Sequence, residues 1–293
     1  MTTVKENACA KINLYLDVVG KRADGYHDVK TLMHTVDLFD EITVSMHPSG
    51  KRSVHLFVEG NHFLPTDGKN LAVKAAHLFL DRIGLDAEIS IKLVKNIPVA
   101  AGLAGGSADA AAVLRALNKI FRKPFTRYAL AKMAEELGSD VPYCVLGGTA
   151  LCEGRGEIVT HVKTEMRLIT VIVSSGEHIS TPEAYSELDR KYSDFDGSVP
   201  NGSVRFDCME RSLSDGGIKP EALYNSFEEA ILPKCPIASR AKERLLELGA
   251  YAAMMSGSGP SVFGLFDTEE KAAAAAAKLN EEGMKAFVAK TVR

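Results

Sequence analysis

No apolar run in this sequence approaches the roughly 18 residues that a membrane-crossing helix needs. A strand-like alternation is under way by about Cys9, which leaves no room for a cleavable signal. Neither sign of charge is in excess: 35 basic against 38 acidic side chains leave a formal net charge of −3. That balance gives no reason to expect nucleic acid or an anionic membrane as a partner, so any basic site must be local. Cysteine is scarce. Cys9, Cys144, Cys152, Cys208 and Cys235 are odd in number and show no Cys-x-x-Cys spacing, which argues against a disulfide framework and a structural zinc site. The expectation is a soluble, cytoplasmic protein, with no membrane partner, that is a monomer or weak homodimer.

Familiar phosphate-binding signatures are missing too. From Gly102 the next glycines come three and four residues later, which is not the Gly-x-Gly-x-x-Gly spacing of a dinucleotide site, and no Gly-Lys-Ser/Thr ending marks a Walker A loop. The His-Arg-Asp and Asp-Phe-Gly signatures of protein kinases are also absent. What is present is Asn96-Ile97-Pro98-Val99-Ala100-Ala101-Gly102-Leu103-Ala104-Gly105-Gly106-Ser107-Ala108-Asp109, a glycine-rich turn that runs into an alanine-rich helix. Glycines let backbone N–H groups approach an anion closely, and the amides and dipole of a helix N-terminus favour negative charge. This is the chemistry of a phosphate cradle, with a nucleoside triphosphate as its expected guest. The competing reading is a turn that only packs a helix against a sheet.

At 293 residues the chain exceeds a typical single domain, so two domains are expected. The boundary falls near Thr160 to Arg167, giving domains 1–163 and 164–293. Ile12, Leu14, Leu16 and Val18 alternate with Lys11, Asn13, Tyr15 and Asp17, the pattern of a half-buried strand. Asp24-Gly25 marks a turn that delivers Tyr26 and His27. Strands are expected at Glu41 to Ser45, Ser53 to Val58 and Ala87 to Val94, with helices from Leu71 to Ile83, from near Ser107, and from Thr126 to Leu137. That last helix would end with Gly138 as its C-cap. In the second half, strand Leu168 to Val173, helix Pro182 to Tyr192, a polar stretch from Ser193 to Gly217, helix Ala238 to Leu248, strand Ser261 to Phe266, helix Thr268 to Asn280 and a strand near Phe287 resemble a split βαβ layer.

Taken singly, the candidate residues are ambiguous. Lys11 and Asn13 share one strand face and project the same way, but a lone strand lysine reads equally as solvated surface. Asp140, between Ser139 and Val141-Pro142, would pass for a turn carboxylate. Tyr26 and His27 could be ordinary packed rings, and Ser258 an ordinary turn residue. Asp109 is read as a helix-start carboxylate favoured by the dipole.

Their order along the chain resembles the GHMP kinases. The resemblance is carried by Ala10-Lys11-Ile12-Asn13-Leu14, Arg22-Ala23-Asp24-Gly25-Tyr26-His27, Pro98-x-x-x-Gly102-Leu103-x-Gly105-Gly106-Ser107, Leu137-Gly138-Ser139-Asp140-Val141-Pro142 and Ser256-Gly257-Ser258-Gly259-Pro260. It implies an α+β, two-domain fold, the N-terminal domain like ribosomal protein S5 domain 2 and the C-terminal one a ferredoxin-like split βαβ, with the active site in the interdomain cleft. It further implies transfer of the ATP γ-phosphate to a hydroxyl of the methylerythritol portion of a cytidine diphosphate substrate. The Asp24-Gly25-Tyr26-His27 segment counts against homoserine or mevalonate as the acceptor. A catalytically silent nucleotide-binding sensor remains the alternative of a different class.

Carried over residue by residue, the resemblance makes Asp140 the acceptor of the hydroxyl proton. Lys11 would keep Asp140 ionised and stabilise charge on the transferring group. Pro98, Val99, Ala100, Ala101, Gly102, Leu103, Ala104, Gly105, Gly106, Ser107 and Ala108 would wrap the triphosphate, with Ser107 as the protein contact to Mg2+. Asn13 would bind the acceptor hydroxyls, and Gly257, Ser258 and Gly259 would line the substrate phosphates. His27 would meet the base edge, with Tyr26 and Tyr185 beside it. The chain departs from some relatives in having Leu103-Ala104 and Ala108 where they carry further glycines or a second serine.

Overall fold

The computed structural model describes residues 1–60, 63–192 and 202–292. The chain divides into two compact units: Met1–Ala10, Phe39–Val99 and Ala104–Gly147 form the first, and Lys11–Leu38, Ala100–Leu103 and Gly148–Arg293 the second. Two long strands contribute to both, β1 (Thr2–Lys21) and β2 (His27–Pro48). The strand expected at Glu41 to Ser45 is therefore the far end of a longer one. Nor is β1 half-buried: every residue from Lys11 to Val18 is buried. Its polar face is roofed by aromatic rings, with Tyr15 packed against Phe206 at 5.1 Å and Tyr224 at 5.6 Å, and alternation alone cannot reveal such a cover.

The first unit adds β3 (Ser53–Glu59), α1 (Leu71–Ile83), β4 (Ala87–Val94), α2 (Gly105–Ile120), α3 (Arg127–Ala134) and α4 (Val141–Leu146). β4 pairs antiparallel with β2, placing Val44 opposite Ile91, and parallel with β3, placing Leu56 opposite Ile91. Ile89, Ile91 and Leu93 are buried on one face of β4, as period-2 alternation requires. α1 has the bounds its pattern predicts, because Asn70 caps its N-terminus by accepting from the Ala72 amide at 2.9 Å and Gly84 closes it in the left-handed conformation. α1 packs on α2, whose alanines at 108, 110, 111, 112 and 116 are all buried.

Three expectations need correction here. α2 starts at Gly105, ahead of Ser107, because Ala104 makes the left-handed bend that turns the chain into the helix (φ 56). α3 stops at Ala134, short of Leu137, and Gly138 is extended backbone (φ 159), so it is not the helix cap. Asp140 is the N-cap residue of α4, and Pro142 sits in that helix's first turn, where a missing N–H removes no helical bond.

The second unit adds β5 (Thr149–Glu153), β6 (Ile158–His161), β7 (Ile169–Ser174), α5 (Thr181–Lys191), α6 (Gly202–Ser214), β8 (Tyr224–Asn225), α7 (Glu228–Ile231), α8 (Pro236–Glu247), β9 (Ala252–Met255), β10 (Val262–Phe266), α9 (Glu269–Glu281) and β11 (Lys285–Lys290). β5 pairs with the first half of β2 and with β6, and the short β8 runs parallel to β1. β7, β9, β10 and β11 form an antiparallel sheet in the order β11-β7-β10-β9. With helices α8 before β9 and α9 before β11, this is the split βαβ arrangement, and the fold is α+β. Its core joins Val171 and Val173 to Val262 and Phe266, covered by Leu245 of α8 and Leu279 of α9. α6 occupies much of the stretch read as polar; Phe206 and Met209, three residues apart, give it a buried stripe. Residues 193–201 of that stretch lie outside the described residues.

Candidate functional site

In the second unit three distant segments meet at one hydrogen-bonded cluster. The Lys11 ammonium donates to Asn13 Oδ1 at 2.7 Å and to the Gly102 carbonyl at 2.9 Å. Ser256 Oγ donates to the same carbonyl at 3.1 Å. Asn13 is oriented in turn: its amide donates to Thr31 Oγ1 at 2.8 Å, and that hydroxyl donates to the Tyr15 carbonyl at 2.6 Å. The early lysine strand, the middle of the central loop and the late turn are thereby locked together.

Two glycines explain how the backbones come so close. A Cβ at Gly102 would lie 2.1 Å from the Ser256 carbonyl oxygen, and one at Gly257 would lie 2.9 Å from the Gly102 carbonyl oxygen and 3.1 Å from Lys11 Nζ. Both also have positive φ, 74° and 59°, which L side chains resist. The late turn is braced from below by Asn225, buried, whose amide donates to the carbonyls of Met255 at 2.8 Å and Gly257 at 2.9 Å while its oxygen accepts from the Phe227 amide. Ser258 Oγ lies 3.3 Å from Thr181 Oγ1, in the first turn of α5, where Ser180 and Glu183 form a capping box and Pro182 follows.

The base-edge candidates also lie in this unit. His27 is buried, stacked on Tyr185 (centroids 4.6 Å apart, 19° between planes), with Nε2 at 2.7 Å from Asp189 Oδ1. Tyr26 is exposed, with the Arg155 guanidinium 5.1 Å from its ring centroid. The intervening turn is held by Arg22, which pairs with Asp24 and Asp28.

The first unit holds the flanks of the central loop. Asp40, wholly buried, accepts at Oδ1 from the amides of Asn96 (2.6 Å) and Ile97 (2.7 Å), and its Oδ2 pairs with Lys95. Lys95 also pairs with Asp109 at 2.9 Å. This triad ties the strand before the loop to the helix after it. Gly105 makes room for it, since a Cβ there would lie 2.9 Å from Lys95 Nζ. Asp109 is thus not a helix-start carboxylate. It lies beyond the first turn of α2, its Oδ1 is buried without a partner, and burial, opposed by Lys95 and aided by Asp40, raises its carboxyl to about 7.

Ala100 and Ala104 both take positive φ, 52° and 56°, a strained choice for alanine that places local strain within the loop. Ser107 is half-buried in the first turn of α2, and Asp140 is half-buried at the start of α4. Asp40, Lys95, Asn225 and Asp189 escape sequence reasoning. Asp189 alone carried a usable signal, since it follows Tyr185 by one helical turn.

Residues 70–148 match the model of the GHMP kinases N terminal domain, and residues 209–285 that of the GHMP kinases C terminal domain. The chain is 41% identical, over 97% of its length and 99% of the relative's, to the 4-diphosphocytidyl-2-C-methyl-D-erythritol kinase of Clostridium botulinum (strain Loch Maree / Type A3). It is 40% identical, over the same shares, to the protein of that name from strain Alaska E43 / Type E3. A crystal structure of 4-(cytidine 5'-diphospho)-2C-methyl-D-erythritol kinase superposes with a TM-score of 0.81 at 31% identity, covering 98% of each chain. Homoserine kinase from Cytophaga hutchinsonii, at 21% identity, a TM-score of 0.73 and coverage of 96% of this chain and 94% of that one, shares the fold alone. Matched by both family models and by relatives that align over nearly their full length, the chain belongs to the GHMP kinases.

Proposed function

We propose that this kinase transfers the γ-phosphoryl group of ATP to the 2-hydroxyl of 4-diphosphocytidyl-2-C-methyl-D-erythritol, giving the 2-phosphate and ADP, in the cytoplasm, as a step of the non-mevalonate route to isoprenoid precursors. The observation that carries the reading is the cluster in which Lys11, the Gly102 carbonyl and Ser256 are hydrogen-bonded together. The names of the most similar relatives support the choice of acceptor. The division into domains 1–163 and 164–293 is part of the same reading.

In the reaction the acceptor oxygen forms a bond to the γ-phosphorus as the bond from that phosphorus to the ADP oxygen breaks, and the hydroxyl proton passes to Asp140. Such a transfer needs mainly positioning and stabilisation of spreading charge. Lys11 supplies that charge, with its ammonium already aimed by Asn13 and Gly102. The amides of Pro98 to Ala108 cradle the triphosphate, Asn13 positions the acceptor hydroxyls, Gly257 to Gly259 line the substrate phosphates, and His27 with Tyr26 and Tyr185 receives the base.

Among the described residues no group of three or more His, Cys, Asp and Glu side chains is placed to hold a metal ion. A magnesium ion that takes most of its ligands from phosphates and water fits such a site, with the oxygen of Ser107 as its protein contact. When bound, it would offset the negative charge of the phosphates.

The test is ADP release in the presence of magnesium and ATP, measured against the cytidine diphosphate alcohol, mevalonate, homoserine and no acceptor. Turnover with the first alone is expected. Equal turnover with mevalonate or homoserine would sink the acceptor assignment, and no turnover with any would favour a nucleotide-binding sensor. Asp140→Asn should remove most turnover and leave ATP affinity near normal; full activity in that variant would remove Asp140 from the base role.

A further inference from the structure

Helix α5 grips His27 from two directions. Tyr185 and Asp189 are one turn apart and share a helix face. Tyr185 lies flat against the imidazole at 4.6 Å and is itself buttressed edge-on by Phe227 at 4.9 Å. Asp189 closes on the ring edge, its Oδ1 at 2.7 Å from Nε2, while its Oδ2 takes the Lys21 ammonium at 2.5 Å. Burial pushes the Asp189 carboxyl up, but the hydrogen bonds from Lys21 and His27 win and hold it below the ordinary carboxylate range.

An ionised carboxylate can only accept, so the nitrogen facing it carries the proton. In the neutral ring the other nitrogen, Nδ1, is then a lone pair. A lone pair accepts from an exocyclic amino group and repels a carbonyl oxygen in the same place. We propose that Asp189 is a positioning residue that fixes His27 as the Nε2–H tautomer, so that Nδ1 selects an amino-bearing pyrimidine over a keto-bearing one. The selectivity half rests on the reading of His27 as the base-edge contact; the tautomer half does not.

Two measurements separate those halves. Nitrogen-15 spectra of the ligand-free protein should show His27 protonated at Nε2 and unprotonated at Nδ1. In Asp189→Asn both tautomers should be populated, because a carboxamide can either donate or accept. In turnover assays, Asp189→Asn should raise KM for the cytidine diphosphate alcohol at least about tenfold, the scale of one charge-assisted hydrogen bond. Its kcat and its KM for ATP should stay within about threefold, and the preference for the cytidine over the uridine acceptor should narrow at least about tenfold. Lys21→Met removes the ion pair yet leaves the Nε2 bond, so it should keep both the tautomer and the preference.

An Nδ1–H ring in the wild type would overturn the tautomer claim. An unchanged preference in Asp189→Asn would overturn the selectivity claim, as would a Lys21→Met variant that behaves like Asp189→Asn, since the carboxylate would then only anchor the helix. A wild type inactive on both acceptors would overturn the acceptor reading and with it the selectivity half, and the nitrogen spectra would still decide the tautomer half.

Discussion

Lys11 and Lys95 both have buried side chains that meet the central glycine loop, yet the oxygens seen around them differ in kind. Lys95 faces two carboxylates, Asp40 and Asp109. Lys11 donates to an amide oxygen and a backbone carbonyl, Asn13 Oδ1 and Gly102 O. A carboxylate offsets an ammonium's charge, whereas a carbonyl oxygen aims the ammonium and does not titrate. The first arrangement makes a cross-link between a strand and a helix. In the second, two fixed oxygens aim the ammonium. Residue type and burial are the same in both, so the two lysines cannot be told apart without their hydrogen-bonded neighbours.

The sharpest way to break this contrast is to remove each cation. Lys95→Met would strand buried carboxylates, so a loss of about 3–5 kcal/mol in stability is expected in urea unfolding. Adding Asp109→Asn should recover part of it, and a loss within experimental error would show that the triad holds nothing together. Lys11→Met should lower kcat about 10²- to 10³-fold, as removal of one preorganised transition-state donor does. Its unfolding midpoint should move far less than that of Lys95→Met; near-normal turnover would reverse the roles assigned to the two lysines.

A buried group kept neutral extends the comparison. His34 is wedged between Thr149 Oγ1 at 2.8 Å and Thr291 Oγ1 at 2.9 Å, and burial pulls its imidazole down from 6.5 to about 4. A depressed histidine binds its proton more readily when the chain is unfolded. Its contribution is therefore full above the unfolded value, falls as pH drops from 6.5 and levels off below about 4, a span of about 3 kcal/mol. The raised carboxyl of Asp109 acts in the opposite sense, its contribution being present at low pH and lost as pH rises through about 7. The difference between wild type and His34→Gln isolates the histidine: the variant should lack that part of the acid loss, and parallel pH curves for the two proteins would refute it.

The smallest effect concerns strain. Ala104→Gly releases a left-handed alanine at φ 56 but adds freedom to the unfolded chain, for a net change of about 0.5 kcal/mol in either direction by calorimetry. A loss of several kcal/mol would mean that the alanine methyl group itself packs against something essential.

How much could be read beforehand follows from the range of the interactions. The bounds of α1 and β4 were legible because Asn70, Gly84 and strict alternation are local signals. Gly102 and Gly257 were legible as turns, but their closeness was not, because it depends on a contact across the whole chain. α6 was hidden in a polar stretch because its apolar stripe is thin. Asp40 and Asn225 were invisible as positioning residues, since a carboxylate or amide in a strand looks the same whether it faces water or braces a loop.

By itself the sequence determined the family, the glycine-rich loop and the identity of the chemically able side chains, all of which reside in short motifs and local periodicity. Tertiary structure alone decided that Lys95 is offset by two carboxylates, which face of β1 is covered and which nitrogen of His27 is tied to a carboxylate. The physical reason is that burial, charge compensation and tautomer are set by neighbours distant in the chain, and no local pattern encodes them.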